Sequence, residues 1–288
     1  MKVLAFGKTG QVAIELARHV PGGATLIALG RDQADLCDPA ACAAAIRSHA
    51  PDIVINAAAY TAVDRAEEDE ATALRVNGAA PGAMAAACAA LGIAFVHIST
   101  DYVFDGSGTA PWCPGDPTAP LGAYGRSKLA GEEAVRGAGG RHVILRTSWV
   151  FSAHGGNFVK SMLRLSETRD RLSIVADQVG GPTAAADIAV ALWTIAGAMV
   201  RGTGPSGTYH FAGHPAVSWA DFAREIFAQA GRRVEVVKIP ASAYPTPAKR
   251  PSNSRLDCTA LATDFGIEQP DWRKSLRGVI SELKEMTL

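Results

Sequence analysis

Lys2-Val3-Leu4-Ala5-Phe6-Gly7-Lys8-Thr9-Gly10-Gln11-Val12-Ala13 opens the chain with a short apolar run, a glycine turn and the start of an apolar-periodic stretch carrying Ile14, Leu16 and Ala17. Strand, turn and helix in that order form a G-x-x-G-x-x-A variant of the dinucleotide fingerprint. Gly7 makes the tight turn, Gly10 lets backbone amides approach a pyrophosphate, and the small Ala13 lets helix and strand pack closely. An ordinary strand-to-helix connection is the bland alternative; the strand before the turn and the helix after it favour the cofactor reading. On that reading Gly7, Gly10, Gln11 and Val12 line the cofactor site.

Outward from this turn, β-type runs at residues 3–6, 26–29, 53–57, 95–99 and 143–145 alternate with stretches that hold one helix each. The runs are apolar throughout, as expected of strands buried on both faces, and the rhythm predicts βαβ units in a parallel sheet. After about residue 150 the rhythm breaks into turns at Gly180-Gly181-Pro182, Gly202 to Gly207 and Tyr244 to Pro251, around short strands at 209–211 and 234–239. The expected architecture is therefore an α/β fold: a Rossmann-type doubly wound parallel sheet with a smaller C-terminal α/β substrate lobe. Residues 1–155, with part of 175–205, are assigned to the dinucleotide-binding domain and 156–288 mainly to the lobe.

Composition narrows the function. Among 288 residues, 48% are apolar and 19% charged, and 28 basic residues balance 28 acidic ones, so no global field attracts nucleic acid or an anionic membrane. Five cysteines without a C-x-x-C pair read as reduced thiols, and the first apolar run is too short for a signal peptide. The expected compartment is the cytoplasm. The Ala-rich stretch at 79–90 reads as a packing helix rather than a membrane span.

Further cofactor contacts are expected where strands end. Gly30-Arg31-Asp32 follows the second strand; Arg31 suits adenine stacking or a 2′-phosphate, and Asp32 suits free ribose hydroxyls, which leaves NADH and NADPH open with a lean to NADPH. Asp35-Leu36 and Asn56-Ala57-Ala58-Ala59 are placed where the third and fourth strands end. Ser99-Thr100-Asp101-Tyr102 is placed at the end of a fifth, followed by Tyr124-Gly125-Arg126-Ser127-Lys128 at a helix start. Tyr124 and Lys128 stand at i and i+4 on one helix face. A free tyrosine ionises near pH ~10, and a neighbouring ammonium favours its phenolate, so the pair is expected to exchange a proton, with Thr100 donating to the same carbonyl oxygen.

These blocks, with Arg146-Thr147-Ser148-Trp149-Val150-Phe151 and Arg250-Pro251-Ser252-Asn253-Ser254-Arg255-Leu256, resemble the extended short-chain dehydrogenase/reductase superfamily and, within it, the dTDP-4-dehydrorhamnose reductase family. The resemblance covers nearly the whole chain. It implies NADPH or NADH as cofactor, a nucleotide-sugar substrate whose C4 ketone is reduced, and a catalytic set of Thr100, Tyr124 and Lys128. It also implies cofactor contacts from Arg31, Asp35, Leu36, Ala57, Ala58, Ala59, Tyr124 and Lys128. Substrate contacts are expected from Thr100, Asp101, Tyr102, Trp149, Arg250 and Arg255. Trp149 ends a strand beside the cleft, and the arginines of the Pro-rich loop suit a diphosphate.

The resemblance brings a magnesium ion between subunits, with Glu15 as one contributor. Ala184-Ala185-Ala186 offers no acid before Asp187, so no metal ligands are assigned, and monomer and homodimer both stay open. Two rival readings remain. One is another nucleotide-sugar reductase or epimerase of the same superfamily; a dehydratase would need a glutamate where Tyr102 stands. The other is a non-catalytic, cofactor-binding regulatory subunit resembling that of methionine adenosyltransferase. The remaining polar features take bland readings: His97 as a packed strand residue, Asp64 to Glu70 as a solvated helix start, and Trp193, Trp219 and Trp272 as packing.

Overall fold

The computed structural model describes residues 1–286. Its centre is a six-stranded sheet with β1 (Lys2–Phe6), β2 (Thr25–Leu29), β3 (Ile53–Asn56), β4 (Ala94–Thr100), β5 (His142–Thr147) and, from much later in the chain, β10 (Gly207–His210). The spatial order is β10-β5-β4-β3-β1-β2, every pair parallel. From β1 the chain steps to one side for β2 and crosses to the other for β3. The crevice at the carboxyl ends of β1 and β3 is therefore the topological switch point where doubly wound sheets bind ligands.

Both faces are covered, which is why β1, β3 and the first three residues of β4 carry apolar residues without alternation. On one face lie α1 (Gln11–Arg18) and α8 (Ala185–Arg201), packed on Val3, Ile55, Val96 and Leu145. Ile188, Leu192, Ile195 and Met199 form the buried stripe of α8, and its Trp193 indole donates to the Leu16 carbonyl at 3.0 Å. On the other lie α2 (Pro39–His49), α5 (Ala80–Leu91) and α6 (Ala123–Gly137). Asp38 caps α2, accepting from the Ala41 amide at 3.0 Å, ahead of a proline at the first helical position. Between β3 and α5 the chain makes two short helices, α3 (Val63–Ala66) and α4 (Glu70–Leu74), then a π-turn at Arg75–Ala79. That turn brings Asn77 inside, where it bonds both backbone groups of Tyr60 and the Ser127 hydroxyl.

The second half builds a further cluster around Phe151, Phe222, Ile226, Trp272 and Leu276. Its elements are β6 (Val150–Phe151), α7 (Phe158–Leu165), β7 (Arg171–Val175), β8 (Val179–Gly180), β9 (Thr183–Ala184), β11 (Val217–Ser218), α9 (Trp219–Ala230), β12 (Glu235–Ile239), β13 (Asn253–Ser254), α10 (Thr259–Phe265) and α11 (Trp272–Glu285). Three expectations need correction. No strand ends at Asp35-Leu36, which lies in the turns between β2 and α2; the Asp35 carboxylate accepts from the Cys37 amide and holds a turn there instead. Thr100 consequently closes the fourth strand, not a fifth. The run at 209–211 overlaps β10, which joins the main sheet beside β5. No helix among the described residues is long and apolar enough to cross a membrane.

Candidate active site

Backbone shape builds the first half of the site. Gly7 sits at φ +111°, and a Cβ there would lie 3.3 Å from the Ala57 carbonyl carbon and 3.4 Å from Ala13 Cβ. The turn, the end of β3 and the first turn of α1 thus touch through a residue with no side chain. Gly10 begins α1 with no side-chain cap, and a Cβ on it would meet nothing within 4 Å. Space is open in front of the unpaired amides at a helix N-terminus, which fits a dinucleotide pyrophosphate. Gln11 turns its side chain away: its Oε1 accepts from Ser152 at 3.2 Å and Asn157 at 2.9 Å, tying the loop after β6 to the glycine turn. Val12 is packed in the core and Leu36 is buried. Arg31, 81% exposed, pairs with Asp35 at 3.2 Å at the rim beyond β2. Ala57, Ala58 and Ala59 lie half-buried at the end of β3.

The other half is a buried polar network. Thr100, at the carboxyl end of β4, donates to Asp101 Oδ1 at 3.0 Å and accepts from the Tyr102 amide at 3.2 Å. Asp101 is 2% exposed, and burial pushes its carboxyl up to about 6; the Ser254 and Thr100 hydroxyls return only part of that cost. Its Oδ2 makes no hydrogen bond of ordinary geometry. Tyr124 lies beside Thr100, and its ring meets that of Tyr102 edge-on at 5.6 Å between centroids. Close approach of α6 to the turn after β4 depends on Gly125, where a Cβ would come within 2.3 Å of the Tyr102 carbonyl oxygen. Glu67 accepts from the Ala123 amide at 2.8 Å and holds the start of that helix.

One turn on, Lys128 is buried. Its Nζ donates to the Ile98 carbonyl at 2.6 Å and stands 3.3 Å from His97 Nε2. Burial lowers the ammonium to about 8, opposed by the charge of Glu132. Burial also pushes the Tyr124 phenol, up to about 12; the Thr100 hydroxyl opposes this and the Asp101 charge adds to it. The sequence expectation that Lys128 depresses Tyr124 is therefore not met in this arrangement, because the ammonium is directed to β4 and desolvation dominates the phenol. Behind them, Glu132 accepts from Ser99 at 2.6 Å and from Arg146 at 2.8 and 2.7 Å, a buried pair that braces α6 against β4 and β5.

Several of the expected substrate residues are held by partners distant in sequence. Arg250 binds Asp64 with both forks, at 3.1 and 2.8 Å, and Asp64 also accepts from the Ala248 amide. Glu70 likewise holds Arg126 at 2.7 and 3.1 Å. The acids at 64–70 are thus fasteners for α6 and for the Pro-rich loop, not only a solvated helix start. Arg255 bonds Asn253 at 2.9 Å. Trp149, at φ +50°, stacks on Trp219 with centroids 3.5 Å apart. Neither the Asp64–Arg250 pair nor the Trp149–Trp219 stack is legible in the sequence, since each contact spans a long stretch of chain.

The magnesium implied by the resemblance does not fit the residues present. Glu15, His154 and Glu282 bring ligand atoms within 4.8 Å of one another, but the Arg18 guanidinium reaches all three, at 3.4, 2.7 and 2.5 Å. The cluster already holds a cation and mixes in an imidazole, unlike the all-oxygen shell magnesium prefers. Asp187 accepts from Ser275 at 2.6 Å.

A doubly wound parallel sheet with a glycine turn at its switch point, and threonine, tyrosine and lysine gathered at the end of β4 and on α6, defines the short-chain dehydrogenase/reductase class. Comparison with known proteins narrows the class. The family described as RmlD substrate binding domain matches residues 1–285. A dTDP-4-dehydrorhamnose reductase of Sinorhizobium fredii is 46% identical, covering 97% of each chain. A crystal structure of such a reductase from Clostridium acetobutylicum superposes with TM-score 0.93 at 36% identity, covering 99% of this chain and 100% of the other. One from Bacillus anthracis, in complex with NADP, gives 0.91 at 32%, covering 98% and 99%. The chain belongs to the dTDP-4-dehydrorhamnose reductase family.

Proposed function

We propose that this chain reduces the C4 ketone of dTDP-4-dehydro-6-deoxy-L-mannose (dTDP-4-dehydrorhamnose) to dTDP-L-rhamnose, using NADPH or NADH. The observation that carries the reading is the placement of Tyr124 beside Thr100 at the carboxyl end of β4, next to the switch-point crevice. A reduced nicotinamide, when bound, supplies the hydride to the carbonyl carbon. Tyr124 gives its phenolic proton to the carbonyl oxygen as negative charge develops there. Being pushed up to about 12, it stays protonated throughout the neutral range and remains a far stronger acid than an alcohol, so the transfer runs downhill. Thr100 is placed to donate to the same oxygen once its hydrogen bond to Asp101 is exchanged.

The glycine turn and the amides at the start of α1 hold the pyrophosphate; Arg31 meets the adenosine end, and Ala57 to Ala59 line the crevice wall. Lys128 holds the nicotinamide ribose. Residues 156–288, mainly, serve as the nucleotide-sugar lobe. Arg250 and Arg255 of this lobe meet the diphosphate, while Trp149 covers the sugar and Asp101 and Tyr102 bound it from the dinucleotide-binding domain. The test is to add dTDP-4-dehydrorhamnose to the chain with each reduced cofactor, following loss of reduced-nicotinamide absorbance and identifying the sugar formed. Oxidation of the cofactor with dTDP-L-rhamnose as product is expected. Cofactor binding without turnover would favour a regulatory subunit, and a changed sugar without cofactor consumption would favour an epimerase.

A further inference from the structure

Lys128 faces a buried imidazole that the reaction above does not use. His97 lies on β4 with no exposed surface, its ring held between two partners: Nε2 stands 3.3 Å from Lys128 Nζ and Nδ1 3.1 Å from Asn56 Nδ2. Asn56 is itself 1% exposed, and its Oδ1 accepts from the Ala58 amide at 3.2 Å. A continuous chain of hydrogen-bonding groups thus runs from the lysine on α6, across β4, to the backbone at the end of β3.

Proton counting along this chain allows two consistent arrangements. A neutral imidazole carries one N–H, and an ammonium carries three donors and no lone pair. When the Ala58 amide donates to Asn56 Oδ1, the Asn56 amide nitrogen donates to His97 Nδ1. The ring proton then sits on Nε2, facing Lys128, and only a neutral amine can accept it. When Lys128 is an ammonium, it donates to Nε2, the ring proton sits on Nδ1, and Asn56 must turn its carboxamide over to present Oδ1. The Ala58 amide is then released from Asn56. The ring keeps one proton in both arrangements, and the cluster as a whole loses one to solvent on passing from the second to the first.

We propose that His97 is a positioning residue that transmits the charge state of Lys128 to Asn56 and the Ala58 amide by switching its ring proton between Nδ1 and Nε2. The charged lysine, which holds ribose, and a free Ala58 N–H, ready for an acceptor on the bound dinucleotide, are one state of one network. The proposal rests on the reading of Lys128 and Ala58 as cofactor-binding residues.

The electrostatic surroundings are consistent with this. Burial holds His97 well below the usual imidazole range, with Lys128 as the further cause, so the ring stays neutral. Lys128 loses its proton at about 8, and the other charge acting on it is Glu132. Glu132 is itself neutralised by Arg146 and Arg136 and bonded by Ser99. Phe95, stacked at 6.1 Å on the same strand, adds no titrating group.

The test is nitrogen NMR of the full chain labelled with 15N-histidine, between about pH 6 and 10, where neutral tautomers are distinguished by their ring shifts. The His97 signals are those lost in His97→Gln. The Nδ1–H tautomer is expected at the acid end and Nε2–H at the alkaline end, crossing near the value of Lys128. Lys128→Met should show Nε2–H throughout, and Asn56→Asp, whose carboxylate only accepts, should lock Nδ1–H. One unchanging tautomer in the wild-type chain, or a crossing that persists in either variant, would overturn the proposal. Neither outcome depends on turnover, so a failure here is separate from a failure of the assigned reaction.

Discussion

The rim beyond β2 and the interior at the end of β4 are built by opposite means. At the rim, Arg31 is 81% exposed and its ion pair with Asp35 lies in water, where such pairs contribute at most about 1 kcal/mol. Inside, Thr100, Asp101, Lys128, Glu132 and Arg146 are all nearly inaccessible, and apart from Asp101 Oδ2 their polar groups are hydrogen-bonded within the protein. A change at the rim leaves its neighbours largely undisturbed. The interior is a set of coupled groups in which burial displaces the lysine to about 8 and the aspartate to about 6, so a change at one is felt by its neighbours.

Substitutions test this contrast, beginning with the interior. Tyr124→Phe is expected to lose a factor of ~10²–10⁴ in turnover, as on removing a general acid, while NADPH affinity measured by titration stays nearly unchanged. Near wild-type turnover would remove Tyr124 from the chemistry. Asp101 gives a stability signature with a definite sign. Its folded value is raised from 3.8 to about 6, so between those values the folded chain binds more protons than the unfolded one. Stability should fall as pH rises through that window, by about 3 kcal/mol in full. Asp101→Asn should therefore raise the unfolding midpoint at pH 7 and leave it unchanged near pH ~2.5, below both values, where the carboxyl is neutral folded and unfolded. Equal midpoints at pH 7 would mean that the carboxylate is not strained there.

Between interior and rim lies Arg250. Loss of a charged hydrogen-bonding group costs about 1.5–3 kcal/mol, so Arg250→Ala should raise the Michaelis constant for the sugar nucleotide by about 10- to 100-fold. Asp64→Ala, which frees the loop but keeps the guanidinium, should raise it less. The reverse order would make Arg250 a loop fastener only. The smallest effect belongs to Arg31→Ala: a rise in the Michaelis constant for NADPH of about tenfold or less, exceeding that for NADH. Equal shifts would show that the guanidinium does not meet a 2′-phosphate.

The same contrast decides what was legible in the sequence. Gly7, Gly10 and Ala13 are written in one turn because their role is backbone shape, and Tyr124 and Lys128 are written in one helix because i and i+4 share a face. The parallel sheet follows from apolar runs, but Asp35-Leu36 resembles a strand end in sequence, whereas in the fold a carboxylate holds a turn there. His97 reads as packed and is packed; that its ring abuts Lys128 depends on the packing of α6 against β4, which no local pattern encodes. Asp64 with Arg250, and Arg18 with Glu282, are similarly contacts of the finished fold. For Tyr124 the spacing points to a lowered phenol, because an adjacent charge can be read from spacing, whereas the desolvation that raises it requires the packed site.

The most direct test of the assigned reaction is to supply dTDP-4-dehydrorhamnose with reduced cofactor deuterated at the transferring position and to locate the label in the product. Deuterium at C4 of dTDP-L-rhamnose, with one cofactor oxidised per sugar formed, is the expected result. Deuterium at another carbon, or an unlabelled sugar formed with the cofactor unspent, would contradict ketone reduction at this site.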